Sequence, residues 1–322
     1  MPTPSSEVQS PQSEARVKEW IARSDQPRRS VFGNYHLAGD EPDPTQRESA
    51  PRPSAQVAAE NTGPLQGAID AAIARSFLYS FLANAFRYPA ADNWTTLTVP
   101  VCQNAFHSAI ETLAADAPAL RERGRRLTAR FTADQFEAFE SAYLAAFGHA
   151  ARGSCPLNEL EYGDLKADPL FQPHRLADLA AFYRAFGLDL SPEADERQDH
   201  ICLELEFLCV LTAKEAYALE HQLDAEDLAV CRAAQKQFLR EHLGRWAPAF
   251  ARRLADCVGD GPLGALADFL RAFLEAECAR FHLAPGSEDL LLRPVDEAAE
   301  SLCSTCGLLA LPPGASAPAA VA

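Results

Sequence analysis

Apolar residues recur at helical spacing from about residue 65 onward. The first such stretch, GAIDAAIARSFLYSFLANAFRYP, ends at Pro89. The stretch over 132–147 repeats aromatic residues at helical steps behind Thr132, a plausible N-cap. Further helices are predicted at 98–115, 118–129, 174–187, 199–221, 224–245, 247–258 and 263–282. The sequence has no run of alternating β-branched residues and no Asn-Gly hairpin turn, so the pattern predicts an all-α protein.

One predicted helix differs from the others in the distribution of its apolar residues. Its sequence, HICLELEFLCVLTAKEAYALE, is apolar on nearly every side. Helices on the surface of a protein keep a polar face, whereas a helix that is apolar all round is buried. We therefore expect this segment to be the central element of the fold.

Breaks rich in Gly and Pro divide the chain into parts. The longest break in the helical region is the loop 148–173, and a second, SPEADERQ, spans 191–198. The residues before 65 are rich in proline and poor in apolar side chains, which predicts disorder. The sequence thus predicts a two-part helical bundle with these segments: a disordered tail 1–64, an N-terminal subdomain 65–190, a C-terminal subdomain 191–285, and a loose segment 286–322.

Charge and cysteine content narrow the class of protein. Lys and Arg number 29 against 45 Asp and Glu, giving a net charge of -16, which disfavours nucleic acid as a partner. Nine cysteines, an odd number in a long chain, do not fit a secreted disulfide framework. The N-terminus lacks a signal-peptide pattern and no apolar run reaches the length of a membrane span. We expect a cytoplasmic protein.

The common catalytic motifs are missing. The sequence contains neither G-x-G-x-x-G nor G-x-x-x-x-G-K-[ST], and no Glu stands three residues before any of the eight histidines, as a ferritin-like di-iron site requires. The metalloprotease, α/β-hydrolase and kinase signatures are also missing. These observations favour a binding protein over an enzyme.

The block 196–207, ERQDHICLELEF, carries the most informative polar residues. Glu196, His200 and Glu204 are spaced by four residues and fall on one helical stripe beside a loop. Carboxylates in such a place can pair bidentately with an arginine. The alternative is ordinary: Asp199 caps the helix, His200 forms a local hydrogen bond, and both glutamates are solvated.

Several segments, in this order, resemble one family. Glu196-Arg197-Gln198-Asp199-His200 resembles the Glu-x-Pro-x-Asp-His signature of the TorD/DmsD/NarJ family, with Gln in place of the proline. NELEYGDLKADPLFQ, through Glu159 and Tyr162, resembles the family's Glu-x-x-Tyr loop, and HRLADLAAFYRAFGLDL its next helix. His242-Leu243 with Trp246 and Phe250 resembles its His-Leu-x-x-Trp-x-x-x-Phe. GPLGALADFLRAFLEAE resembles its last core helix, so the likeness covers about 65–283.

This resemblance implies a helical fold of two subdomains and a chaperone function. Members of the family are cytoplasmic chaperones that bind the twin-arginine signal peptide, and sometimes the body, of a molybdopterin oxidoreductase catalytic subunit until its metal centres are inserted. Asp199 and His200 match positions that the family uses for the peptide, and the other candidates are chosen for their chemistry. The predicted signal-peptide-binding residues are Asp199, His200, Glu204, Glu196, Tyr162 and Trp246. For Trp246 the alternative is a core aromatic. We expect the protein to be a monomer or a domain-swapped dimer.

Cys303 and Cys306 form a C-x-x-C motif outside the part of the chain that resembles the family. Two thiolates supply half of the ligands that zinc or an iron–sulfur cluster needs, so Cys155, His282 or a second chain would have to complete a site. The alternative is a tail with two free thiols, and no other cofactor is expected. Two further interpretations of the whole chain stay open: a small metal-binding or redox protein, and a non-catalytic helical scaffold.

Overall fold

A computed structural model describes residues 55–115, 117–148, 153–163, 171–190 and 196–293. Within these ranges the chain is helical and has no β-strand, which confirms the predicted all-α class. The helices are α1 (Ala55–Ala85), α2 (Ala91–Thr98), α3 (Pro100–Leu113), α4 (Ala119–Arg130), α5 (Phe136–Phe147), α6 (Phe171–Ala185), α7 (Ile201–Glu220), α8 (Ala225–Glu241), α9 (Leu243–Val258) and α10 (Pro262–Arg280). None of the described helices is both long and apolar enough to cross a membrane.

Helix α7 is the central element, as its apolar pattern predicts. Of its 20 residues, 15 are buried. It packs along α1 on one side and against α8 on another, while α10 lies against α9 and α4. Since a buried apolar side chain contributes about 1.5–3 kcal/mol, a helix covered on all sides anchors the elements around it.

The apolar core continues across the predicted boundary between the two subdomains. The rings of Phe106 in α3 and Phe269 in α10 lie 5.0 Å apart, and those of Phe86 in α1 and Phe250 in α9 lie 5.5 Å apart. These side chains belong to one cluster of buried residues. The division at residue 190 remains a prediction, and the contacts place both segments around a shared interior.

Several helix boundaries differ from the predictions. Helix α1 begins at Ala55, ten residues earlier than predicted, and includes Pro64. Its first turns, AQVAAENT, contain several strong helix formers, so proline content misled the prediction that the tail extends to residue 64. The rest of that tail, 1–54, lies outside the described residues. The short helix α2 was not predicted, and Thr132 makes no side-chain capping bond.

Two breaks between helices have local causes. Val99 is extended, with ψ of 145°, because the following Pro100 disfavours helical geometry in the residue before it. The predicted helix over 224–245 is interrupted at His242, where φ is −122° and ψ is −107°. A Cβ on Gly244, in the first turn of α9, would lie only 2.4 Å from the Leu239 carbonyl oxygen. The chain therefore turns from α8 to α9 where Gly244, which has no side chain, lets its backbone lie close to the Leu239 carbonyl group.

The described part of the predicted loop, 153–163, is tied to its neighbours on both sides. The Ile201 N–H donates to the Leu157 carbonyl at 2.9 Å, and Asn158 forms an isolated antiparallel bridge with His200. On the other side, the Gly163 N–H donates to the Leu291 carbonyl at 2.8 Å. The segment that follows α10 is thus hydrogen-bonded as far as residue 293, whereas 294–322 lie outside the described residues.

Candidate functional site

The loop 157–163, the start of α7 and the turn between α8 and α9 meet at one place. Polar and ionisable side chains are buried there, among otherwise apolar neighbours. We call this group the junction cluster, and its members are Glu159, Asp199, His200, Glu204, His242 and Trp246. Buried charges are costly unless they are paired, so the partners of each member show what the cluster does.

The Asp199 carboxylate is fully buried and fully engaged. Arg197 donates to it with two nitrogens, Nε to Oδ1 at 2.6 Å and Nη2 to Oδ2 at 2.7 Å. The Leu160 backbone N–H donates to Oδ2 at 3.0 Å and the Asn158 amide to Oδ1 at 3.2 Å. Asp199 therefore holds the loop to the residues before α7 and already binds one arginine of its own chain.

His200 is the N-cap of α7. Its Nδ1 accepts a hydrogen bond from the Cys202 backbone N–H at 3.3 Å, which makes His200 rather than Asp199 the capping residue. Its Nε2 lies 3.5 Å from a carboxylate oxygen of Glu196. Burial lowers the pKa of His200 to about 4, which outweighs the opposite effect of Asp199. The imidazole is therefore neutral near pH 7.

Glu159 is buried and hydrogen-bonded to a histidine and two arginines. Its carboxylate accepts from His242 Nδ1 at 3.0 Å, from Arg245 at 2.8 Å, and from Arg175. Burial alone would raise the pKa of Glu159, but the hydrogen bond from His242 and the nearby positive charges outweigh it and lower the pKa to about 2. On the opposite edge of the His242 ring, Nε2 lies 3.3 Å from a carboxylate oxygen of the half-exposed Asp178. Glu159 thus ties the loop to α6 and α9.

The pKa of Glu204 is shifted upward, in the direction opposite to that of Glu159. Burial raises it well above the ordinary value, and the negative charge of Glu159 adds to the effect. The Trp246 indole N–H donates to both carboxyl oxygens, at 3.0 and 3.2 Å. The Trp246 ring also packs 5.1 Å from that of Tyr162, whose hydroxyl donates to the Pro156 carbonyl at 2.8 Å. Burial and Glu159 outweigh the hydrogen bond from Trp246, which favours the ionised form, so the net effect favours a protonated, neutral Glu204.

The structure brings the six predicted binding residues close to the same junction, but it buries five of them. Glu196 is the exception, with 43% of its side chain exposed. Tyr162 and Trp246 are core aromatics, as the alternative for Trp246 anticipated. Contact between these residues and a peptide stays a prediction. Glu196 and Arg197 are partly exposed, so a ligand that approached the cluster from solvent would contact these two side chains.

Sequence reasoning did not select Glu159, His242 or Arg197 as site residues. Glu159 and His242 stand in motifs that were noticed, but 83 positions separate them, and their contact depends on the packing of the loop against α9. Arg197 has a local signal, because it stands two residues before Asp199 with opposite charge. Such pairs are common in exposed loops, and only the burial of Asp199 shows that this one matters.

The predicted metal site lies outside the described residues, because Cys303 and Cys306 follow residue 293. Of the partners suggested for them, His282 is exposed, and Cys155 is buried with its thiol 3.7 Å from the Phe250 carbonyl oxygen. Burial raises the pKa of Cys155 to about 12. Among the described residues, no group of three or more His, Cys, Asp or Glu is arranged to hold a metal ion.

The chain is similar to several characterised proteins. The family model described as nitrate reductase delta subunit matches residues 103–252. The perchlorate reductase assembly chaperone protein of Dechloromonas aromatica is 29% identical over 210 residues, 65% of this chain and 90% of that protein. The selenate reductase assembly chaperone protein of Thauera selenatis is 34% identical over 176 residues, 55% of this chain and 74% of that protein.

More distant similarity extends to a third kind of relative. The chaperone protein TorD of Vibrio cholerae strain M66-2 is 29% identical over 119 residues, 37% of this chain and 52% of that protein. No solved structure matches the chain significantly. The family model matches a part of the chain, 103–252, that includes every member of the junction cluster. The chain therefore belongs to the TorD/NarJ family of reductase assembly chaperones.

Proposed function

We propose that the protein is a system-specific chaperone for a molybdopterin oxidoreductase. It binds the catalytic subunit and its twin-arginine leader in the cytoplasm and holds them until the cofactor is inserted. The observation that carries the proposal is the similarity to the perchlorate and selenate reductase assembly chaperones, which extends over 90% and 74% of their lengths. The protein itself performs no chemical step in this proposal.

The surface beside the junction cluster has the chemistry that a leader requires. A twin-arginine leader offers two guanidinium groups followed by an apolar helix, so its receptor needs carboxylates next to aromatic surface. The Glu196 carboxylate is partly exposed there. Tyr88 is 62% exposed, and its ring meets that of Tyr143 edge-on at 6.1 Å. Burial raises the pKa of Tyr143, with smaller contributions from Cys202 and Glu196.

The leader is tested first as a peptide. Isothermal titration would measure the affinity for leader peptides of the molybdopterin catalytic subunits encoded in the same genome. Replacing both arginines of a bound peptide with Gln should cost about 1.5–3 kcal/mol for each charge-assisted hydrogen bond that the substitution removes. An unchanged affinity would contradict carboxylate pairing.

The client is tested as a whole subunit. Co-expression with a tagged catalytic subunit should give a complex when the subunit lacks its cofactor, and cells without the chaperone gene should accumulate that subunit with little bound molybdenum. Deleting the leader separates the two contacts, because a complex that survives the deletion binds the body of the client. If the molybdenum content of every such reductase is unchanged without the gene, the proposed function is wrong.

A further inference from the structure

We propose that Arg197 occupies, in the free protein, a guanidinium site formed by Asp199, and that an arginine of the client leader binds by replacing it. This inference rests on the proposed function for the identity of the incoming arginine. The site itself is defined by contacts within the chain.

The contact between Arg197 and Asp199 has the form of a ligand in its site. Two nitrogens of the guanidinium meet the two carboxylate oxygens at 2.6 and 2.7 Å, the fork geometry by which arginine recognises a carboxylate. The Asp199 side chain is 0% exposed, whereas 46% of the Arg197 side chain is exposed. The arginine therefore lies between the buried carboxylate and solvent, where another guanidinium would arrive.

The site does not depend on Arg197 for its shape. The Leu160 N–H and the Asn158 amide hold the two oxygens of Asp199 from the protein side, and the Asp199 carbonyl accepts from the Glu159 N–H at 2.9 Å. The carboxylate stays oriented when its outer partner leaves. Glu161, whose oxygen lies 3.6 Å from Arg197 Nη2, adds a second negative charge at the same position.

Only the side chain of Arg197 has to move. Its carbonyl oxygen accepts from the His200 N–H at 2.9 Å, so its backbone is anchored at the start of α7. The other arginines of the junction are less free, because the side chains of Arg175 and Arg245 are 18% and 29% exposed and share the buried Glu159. Replacement exchanges one bidentate pair for an equivalent one, so the rest of the leader decides which arginine is bound.

The guanidinium site is tested without any client. In thermal unfolding, millimolar N-acetyl-arginine amide should raise the midpoint of Arg197→Ala, since a ligand that binds only the folded state stabilises it. The wild-type protein, whose site is filled, should respond much less. N-acetyl-lysine amide should be weaker, because an ammonium group cannot form the fork. Equal midpoint shifts for wild type and Arg197→Ala would overturn the inference.

Arg121→Ala is the matched control for this experiment. Arg121 also forms a forked pair, with Glu111 at 2.7 to 3.1 Å, and its side chain is 40% exposed. Its carboxylate partner, however, is 58% exposed and is solvated by water once the arginine is removed. We expect no stabilisation of this variant by the arginine amide beyond that of the wild type. A response as large as that of Arg197→Ala would show that any released carboxylate suffices, against a built site.

Replacement by the client is tested with the leader peptide. If Arg197 covers Asp199 about nine-tenths of the time, removing it should tighten binding of the leader about tenfold. Arg197→Lys, which keeps the charge, should give a smaller gain and serves if Arg197→Ala does not fold. A leader affinity that is unchanged or weaker in both variants overturns the replacement while the proposed function stands. If no leader peptide binds but N-acetyl-arginine amide still stabilises Arg197→Ala, the proposed leader binding is wrong and the guanidinium site at Asp199 stands.

Discussion

Helix α7 carries two buried polar clusters of different construction. Glu204, near its start, belongs to the junction cluster. Glu215 lies eleven residues later, about 16 Å along the helix axis, and belongs to a second group that we call the distal cluster. The distal cluster consists of Arg75, Glu215, Arg232, Gln235, Glu277 and Arg280.

The distal cluster is a set of pairs between regular helices. Glu215 accepts from Arg232 at 2.7 Å and from Gln235 at 2.8 Å, while Glu277 accepts from Arg75 at 2.9 Å. Arg280 reaches Glu215 at 3.4 Å and Glu277 at 3.6 Å. The cluster therefore fastens α1, α7, α8 and α10 together with each carboxylate opposite an arginine.

The junction cluster joins loops to helices, and its groups are not evenly paired. Glu159 has two arginines and a histidine as neighbours, whereas Glu204 has an indole N–H and two nearby carboxylates. Arg197, which is not a member of the cluster, is 46% exposed and lies over the Asp199 carboxylate, which is 0% exposed. Ion pairs in which each carboxylate faces an arginine suit the packing of one helix on another. An exposed arginine side chain that can leave a buried carboxylate suits a place where a partner binds. Substitutions of the two glutamates of α7, Glu204 and Glu215, should consequently change stability in opposite directions at pH 7 to 8.

The largest effect is expected at Glu159. Replacing it with Ala leaves His242, Arg175 and Arg245 without their shared carboxylate in the interior, and removing one partner of a buried ion pair costs about 3–5 kcal/mol. Urea unfolding would measure the loss. Glu111→Ala, at an exposed ion pair, is the control and should not change the midpoint measurably. A similar small change for Glu159→Ala would show that the junction is not fastened through this residue.

Glu215→Gln should destabilise the protein by about 1.5–3 kcal/mol at pH 7, because its charge-assisted hydrogen bonds are weakened. Burial raises the pKa of Glu215, but hydrogen bonds from Arg232 and Gln235 outweigh it and lower the pKa. A depressed carboxyl pKa contributes stability above the unfolded-state value near 4.5, which is lost as the pH falls below it. The difference in the free energy of unfolding between the variant and wild type should therefore become smaller as the pH falls. The affinity for the leader should not change, and a clear loss of affinity would break the distinction between the clusters.

Glu204→Gln should stabilise the protein at pH 8, whereas Glu215→Gln should destabilise it at pH 7. A raised folded-state pKa stabilises the fold below the unfolded-state value, and that contribution is lost as the pH rises toward the folded-state pKa. Gln resembles the protonated acid and can still accept from Trp246. Thermal unfolding at pH 5 and pH 8 should show a higher midpoint for the variant at pH 8 and a smaller difference at pH 5. A lower midpoint at pH 8 would mean that the ionised carboxylate is the stabilising form.

The contrast also shows which features the sequence could predict. The position of α7 follows from its apolar residues, and the break before α3 follows from Pro100, since both depend on neighbours along the chain. Asp199 and His200 were selected because both belong to one short motif, 196–200, that resembles the family's signature. The contact of Glu159 with His242 has no such signal, because it forms only when the loop packs against α9. Local sequence thus predicts elements and adjacent residues, whereas the pairing of buried charges depends on the whole fold.

The smallest effect at neutral pH is expected for His200→Asn. Asn is a good N-cap and can accept from the Cys202 N–H as Nδ1 does, so the free energy of unfolding at pH 7.5 should change by less than about 1 kcal/mol. The pH dependence should differ more. Because the pKa of His200 is lowered to about 4 in the folded protein, the unfolded chain, with a value near 6.5, takes up its proton first as the pH falls. The stability of wild type relative to the variant should accordingly fall between pH 6.5 and 4.

Urea unfolding of variant and wild type at pH 7.5, 6.5 and 5.5 would isolate this contribution as the difference between the two proteins, because Glu159 and Glu204 are present in both. His221→Asn is the matched control at an exposed histidine that follows the last turn of the same helix, and it should leave the wild-type slope in place. If the free energies of unfolding of His200→Asn and wild type change in parallel with pH, protonation of the buried imidazole does not contribute to the pH dependence. A large loss at pH 7.5 would instead make the ring a packing element of the junction rather than a replaceable cap.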